Sequence, residues 1–314
     1  MAKPQHPQKE FEEFLAHCKQ PLIRELAWAI GSPPLLKSAA NDDVDLLDTD
    51  FFSREWELGK SLLQAWDQTP NTASLEEMMR FDSPRLGKRF ERLVGFWFLN
   101  QPHWELIQEN WVISDESRTI GEFDLLVRNL DTKEVWHIEL ACKFYLNAHQ
   151  TSRWGDWKGT NTQDDLQHKM DKIQRQLSLS QHPAGKLALS LENIQIDRRV
   201  AWLKGWFFHH IHEITQHQPP RNAHPQYPAG WWCRQHEWTD WMAQNSGLWI
   251  ILQPHEWLHL AHEMSATPLA PEGIAEIWRQ EGLLRCQLVA HVIKKENHWI
   301  EISRGFVVPD TWPN

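Results

Sequence analysis

Apolar residues are spaced helically in the first part of the chain and again near the middle, and between those stretches they gather into strand-like runs rich in β-branched, aromatic and aliphatic residues. From Glu10 to Ile30, Phe11, Phe14, Leu15, Leu22, Leu26 and Ile30 follow a helical period that Pro21 interrupts and Pro33-Pro34 ends. Trp56 to Trp66 and Leu75 to Arg80 predict further short helices. Ser83-Pro84 combines a capping residue with a proline suited to a first helical position. It opens a predicted helix to Leu99 with an apolar face of Leu86, Phe90, Leu93, Val94 and Trp97. Arg85, Lys88, Arg89 and Arg92 give that helix a basic side. Trp104–Ile113, Gly121–Val127 and Trp136–Leu146 then predict a three-stranded meander, with Asn129 to Lys133 as the turn of its second hairpin. Asn161 to Gln181 returns to a helical period through Leu166, Met170, Ile173 and Leu177. Pro183 to Leu191 predicts a short helix, and Arg199 to Phe208 a fourth strand.

Beyond a Pro- and His-rich stretch, Gln216 to Tyr227, the pattern changes again. Gly230–Trp232, Leu248–Leu252, Gln287–Ile293 and His298–Val308 are short strand-like runs. The expected class is α/β, of the α+β kind. A helical cap would occupy residues 1–83, a layered core 84–210, and a mixed or β-rich region 211–314 packed on the core.

Composition alters this picture in two ways. The chain has 20 tryptophans and 18 histidines, so many indoles must be buried and their N–H groups given partners. The cluster Trp231, Trp232, Trp238 and Trp241 is expected to be core rather than a base-stacking platform. The net charge of −10 excludes a generally basic coat. Residues 84–210 are the least acidic part, with 17 Lys+Arg against 16 Asp+Glu. Cys18, Cys142, Cys233 and Cys286 are scattered, with no Cys-x-x-Cys pair, which argues against a zinc ribbon or a dithiol. No apolar run suits a signal peptide or a membrane span, so a cytoplasmic protein with no membrane partner is expected.

The meander carries the chemistry. Asp124 stands before Leu125-Leu126-Val127, and Glu139 stands between Ile138 and Leu140, each where an apolar residue is expected. Alternation puts Glu139, Ala141, Lys143 and Tyr145 on one face of their strand. Two carboxylates and a lysine on adjacent strands are the parts needed to hold a divalent metal and polarise a phosphodiester. This stretch resembles the core of the PD-(D/E)XK nuclease superfamily. That pattern has a helix bearing a glutamate, a strand with an aspartate, and a hairpin to a strand with Glu-x-Lys. Here Glu91 within Gly87-Lys88-Arg89-Phe90-Glu91, Asp124 and Glu139 match. The lysine position is taken by Ala141, and Lys143 lies two residues further, about 7 Å along the strand. A broader resemblance covers nearly the whole chain: Leu26 to Leu36, Gly121 to Val127, Ile138 to Leu146 and Arg304 to Pro313 look like a bacterial domain-of-unknown-function family numbered 1853.

The resemblance implies a mixed-sheet nuclease-like core and a Mg2+- or Mn2+-dependent nuclease acting on DNA or RNA. Asp124 and Glu139 would be metal ligands, with a backbone carbonyl near Leu140 as a further oxygen. Lys143 would steady charge on the phosphate, and Glu91 would be an accessory acid, or else a surface residue paired with Lys88. Arg89, Arg153, Lys158 and Lys169 are the expected contacts to nucleic acid. The loop Arg153-Trp154-Gly155-Asp156-Trp157-Lys158-Gly159 either tracks a phosphate backbone and stacks a base or is a packed structural loop. On the predicted Asn161–Gln181 helix, Gln163 or Lys169 would assist the metal site.

Three other readings compete. The displaced lysine suits a nuclease-derived binding or interaction module without turnover. His255-Glu256-Trp257-Leu258-His259 fits the His-Glu-x-x-His zinc-hydrolase pattern, but Pro254 interrupts it and no third ligand follows, so the two histidines are expected not to converge. His209, His210, His212 and His217 form a further histidine group, with packing or solvent exposure favoured over metal binding. Asn41 to Asp50 is acidic but lacks the spacing and glycine of a calcium loop.

Overall fold

The computed structural model describes residues 7–39, 44–69, 85–115, 118–213, 218–242, 247–261, 267–295 and 298–313. The helix expected at Leu75–Arg80 and the cap at Ser83-Pro84 lie outside these residues. The described residues form a mixed α/β fold with eight α-helices and ten strands. They divide into two compact units. The first comprises Met1–Cys142, Lys169–Lys204 and Asn222–Gln226, and the second Lys143–His168, Gly205–Arg221 and Tyr227–Asn314.

The first unit begins with α1 (Pro7–His17), α2 (Pro21–Gly31) and α3 (Thr49–Gln68). Pro21 opens α2, where its missing N–H has no intrahelical partner to lose. Helix α3 starts well before the expected Trp56, because an acidic residue upstream caps it. Asp48 accepts a 2.9 Å hydrogen bond from the Phe51 N–H. In the same acidic stretch Asp45 pairs with Arg198 at 2.8 Å. These two aspartates therefore have structural partners. Helix α4 (Leu86–Asn100) buries Phe90, Leu93, Val94 and the run Phe96–Phe98.

The indoles of this unit are paired as their chemistry demands. Buried Glu55 accepts from Trp97 Nε1 at 2.9 Å and from Trp104 Nε1 at 3.0 Å. Burial raises the Glu55 pKa, and these two N–H donors oppose the shift.

Strands β2 (Trp104–Asp115), β3 (Arg118–Asn129) and β4 (Val135–Asn147) form the antiparallel meander. Asn129 shapes the β3–β4 turn, its Oδ1 accepting from the N–H groups of Asp131 and Thr132. Lys133 there has φ of 67°. The two-residue β1 (Asp45–Leu46) runs parallel to β6 (Arg198–His210). Helices α5 (Leu166–Leu177) and α6 (Pro183–Leu191) follow the meander, joined by a 3-10 turn, Ser178–Gln181. Leu179 and Leu189 pack with Ile113, Phe123 and Leu126. The expected order of helix, three strands, helix and strand is present.

The second unit takes the ends of β4 and β6. They approach closely at Gly205, which has φ of 145°; a Cβ there would lie 1.7 Å from the Lys143 carbonyl oxygen. That backbone region is essentially restricted to glycine. Short β5 (Trp157–Lys158) pairs with the end of β4. Strand β7 (Ala229–Arg234) is parallel to both β6 and β10 (His298–Val308). Strands β9 (Gln287–Lys295) and β8 (Leu248–Leu252) extend this arrangement antiparallel. Helices α7 (Trp238–Met242) and α8 (Pro271–Glu281) complete the unit. Trp231, Trp238, Trp249 and Trp278 pack with Cys233, Val289 and Val307, and Trp241 lies against them. Trp231, Trp238 and Trp241 thus belong to one core, as expected, while Trp232 is buried against His210 and Trp312 instead.

No helix among the described residues is long and apolar enough to cross a membrane. The four cysteines are free thiols.

Candidate active site

The two carboxylates of the meander are placed by register. Leu125 opposite Ile138 is the last pair of the β3–β4 ladder, and continuing that register places Asp124 opposite Glu139. Directly opposed residues on antiparallel strands project to one face. The Leu140 N–H donates to Asp124 Oδ2 at 2.9 Å. Near Leu140 it is therefore the amide, not the carbonyl, that is seen engaged at the site. The two carboxyls are close enough for each to act on the other's protonation. Burial, reinforced by the charge of Glu139, pushes the Asp124 pKa up to about 7, against the pull of the Leu140 amide and Lys169. Burial likewise pushes Glu139 up to about 7, with Lys169, Asp124 and Lys172 opposing it.

A third element contributes Glu91, from α4. Its side chain is 19% exposed, and Lys88 holds it at 2.6 Å. Burial raises its pKa, and the charge of Asp124 adds to the rise while Lys88 opposes it. Lys88 also lies 3.9 Å from Glu122 on β3. Glu91 therefore belongs to the same electrostatic cluster as Asp124 and is not in open solvent.

The cations fall differently from the expectation. Lys143 is ion-paired with Asp164. The lysine whose charge acts on both Asp124 and Glu139 is Lys169 of α5, with Lys172 one turn on acting on Glu139. Lys169 is half-buried, whereas Lys172 is exposed. Gln163 sits before the helix, its N–H bonded to Asn161 Oδ1 in an exposed turn.

Sequence reasoning missed His137. It lies two residues before Glu139, on the same face of β4, and is fully buried. Its Nε2 is 3.1 Å from Glu139 Oε1. Burial pushes its pKa down to about 3, so it is neutral and can donate an N–H to the ionised carboxylate. The signal was a His-x-Glu spacing within an otherwise apolar strand.

The expected nucleic-acid contacts fare unevenly. Arg89 Nε is held at 2.7 Å by buried Glu25, so this arginine serves the packing of α4 on α2. Lys158 pairs with buried Asp165 at 2.9 Å. Arg153 is 74% exposed, with Asp156 at 3.5 Å. Trp154 and Trp157 are buried and donate to the carbonyls of Arg221 and Thr151. The loop Arg153–Gly159 is therefore packed structure; neither indole is presented for base stacking.

The zinc-hydrolase pattern does not form a site. Pro254–Glu256 is a 3-10 turn, not the α-helix that would bring histidines four apart together. His255 is exposed while His259 is buried against its neighbour's carbonyl, Nδ1 to Leu260 O at 2.7 Å. The carbonyls of Trp257 and His259 accept from the Arg304 guanidinium, which is also bound to Glu301. The segment thus wraps a buried arginine.

The family described as Domain of unknown function (DUF1853) matches residues 24–308. The chain belongs to this family. No curated protein and no solved structure matches it.

The donor set can be tested against a divalent metal. Two adjacent carboxylates whose proximity raises the pKa of Asp124 offer hard oxygen ligands to Mg2+ or Mn2+. Glu91 and Glu122 add negative charge nearby. The residues fit such an ion.

A pH dependence follows. Both carboxyls have folded-state pKa values near 7, raised from 3.8 and 4.5. Their contribution to stability is fully present below the unfolded values and lost as pH rises through about 7. Metal binding requires the ionised forms, so Mn2+ affinity is expected to tighten between about pH 6 and about pH 8. Thermal shift against Mn2+ concentration at both pH values checks this. Equal affinities would show that these carboxyls do not titrate with binding.

Proposed function

We propose that this protein is a metal-dependent phosphodiesterase that cleaves DNA or RNA. The observation that carries the reading is the convergence of Asp124 and Glu139 on adjacent strands, within the charge field of Lys169 and beside the Glu91-bearing helix. Its resemblance to the PD-(D/E)XK core supplies the reaction class.

Asp124 and Glu139 would hold the metal, Mg2+ or Mn2+. When bound, that cation polarises a phosphoryl oxygen and acidifies a water. The Leu140 amide orients Asp124, and the neutral His137 imidazole orients Glu139. Lys169 takes the role expected of Lys143, balancing the carboxylates and steadying charge that develops on the phosphate. Glu91, held by Lys88, is the accessory acid.

A second reading is a binding module without turnover. It is favoured by the commitment of Lys143, Arg89 and Lys158 to internal ion pairs. Labelled single- and double-stranded DNA and RNA, incubated with the purified chain with and without Mn2+, separate the two. Metal-dependent cleavage of any of them supports the first reading. Retention of a substrate without cleavage supports the second.

A further inference from the structure

The histidine group near the end of β6 is not used by the proposed nuclease site. His210 is the last residue of β6, and His212 lies in the 3-10 turn Ile211–Glu213 that follows. Glu237 lies in a second 3-10 turn, Gln235–Glu237, directly after β7. Strands β6 and β7 are parallel, with His210 in register with Trp232. Their C-terminal ends therefore emerge side by side, and the two turns face each other.

The three side chains converge. His210 Nε2 lies 3.0 Å from Glu237 Oε2, and His212 Nε2 lies 3.5 Å from Glu237 Oε1. Donor atoms of all three lie within 4.8 Å of one another, the one such group of three His, Cys, Asp or Glu side chains among the described residues. Ligands about 2.0–2.1 Å from a tetrahedral ion are separated from each other by roughly 3.3 Å; each imidazole lies at about that separation from one of the two Glu237 oxygens.

The ligands are also braced. His210 is buried with its ring 4.4 Å from that of Trp232. Glu237 Oε2 accepts the Arg234 N–H at 2.7 Å, which orients the carboxylate from its own turn. His212 is 71% exposed, leaving the remaining coordination position open to solvent.

We propose that His210, His212 and Glu237 form a zinc site, with the fourth position taken by water or an exogenous ligand. Two imidazoles and one carboxylate suit zinc better than magnesium, which prefers an all-oxygen shell. The site is separate in ligand chemistry and in sequence from Asp124 and Glu139. The ion ties the chain leaving β6 to the chain leaving β7.

Chelator-stripped full chain titrated with Zn2+ by calorimetry tests this, together with Co2+ absorption spectra. One zinc equivalent and the visible bands of a tetrahedral Co2+ complex are expected. Changes to groups that only support metal ligands weaken binding by about 10–100-fold, so loss of a ligand in His212→Ala should weaken it at least that much. His212 is exposed, so this variant should fold, and circular dichroism verifies that it does. Glu237→Gln, which can still accept the Arg234 N–H, should show the same loss. Asp124→Ala should leave zinc binding intact. Absence of a bound equivalent, or zinc bound as tightly by both His212→Ala and Glu237→Gln, would overturn the site and leave an ordinary His–Glu hydrogen bond.

Discussion

Asp124→Ala is expected to abolish Mn2+ binding at the meander site and nucleic-acid cleavage together. The substitution removes one of the two ligands and the negative charge that helps raise the Glu91 pKa. It also leaves the Leu140 amide without its carboxylate acceptor. Glu139 then stands as a single buried carboxyl beside Lys169. Calorimetry should lose the Mn2+ isotherm, and cleavage should fall to the level seen in chelator. The apo fold should survive, because Asp124 is only partly buried and its removal relieves the crowding of two carboxyls. Retained cleavage with lost Mn2+ binding would separate the metal from the reaction and defeat the assignment.

Lys169→Met is expected to reduce turnover by about 10²–10³-fold, the scale of one electrostatic stabiliser acting on developing charge. Methionine keeps much of the lysine stem and removes only the ammonium. Compared at a pH where both carboxyls are ionised, Mn2+ affinity should not fall, since the lost charge opposes cation binding. The carboxyl pKa values should rise further, because Lys169 lowers both. Lys143→Ala is the matched control. Its ammonium is bound by Asp164, so its loss should leave turnover within a few fold, judged by the same scale. A large loss with Lys143→Ala and none with Lys169→Met would return the role to the strand lysine.

The local elements were legible where physical chemistry is local. Runs of β-branched, aromatic and aliphatic residues located all three meander strands, and Pro21 marked the start of α2. Face alternation put Asp124 and Glu139 within reach of one another, since both depend only on strand regularity and a hairpin turn. Other features were set by partners distant in sequence. Arg89 reads as a basic surface residue until Glu25, 64 residues away, is seen buried against it. Lys143 looked poised for catalysis because alternation says which face a side chain takes, not which ion it meets. Asp164 lies in a turn that carries no comparable pattern.

The same limit applies to the compact units. A linear cut through the sequence cannot reveal that β4 and β6 each pass from one unit to the other. His137 was hidden for a different reason. A lone histidine in an apolar strand is ordinary core until its hydrogen bond to Glu139 is known. His212 and Glu237 are 25 residues apart, and only the parallel pairing of β6 and β7 brings their turns together.

The central claim is a metal-dependent reaction at the Asp124–Glu139 pair, and Glu139→Gln tests it most directly. The amide is isosteric with the carboxyl and its oxygen can still accept from His137, so shape and packing are kept while the ligand charge is lost. Wild type and Glu139→Gln should be prepared identically and incubated with labelled DNA and RNA in Mn2+ and in chelator. The account expects cleavage by wild type in Mn2+ alone, and none by a Glu139→Gln protein that melts at or above the wild-type temperature. Equal cleavage by both proteins, or no cleavage of any substrate by wild type, would contradict it.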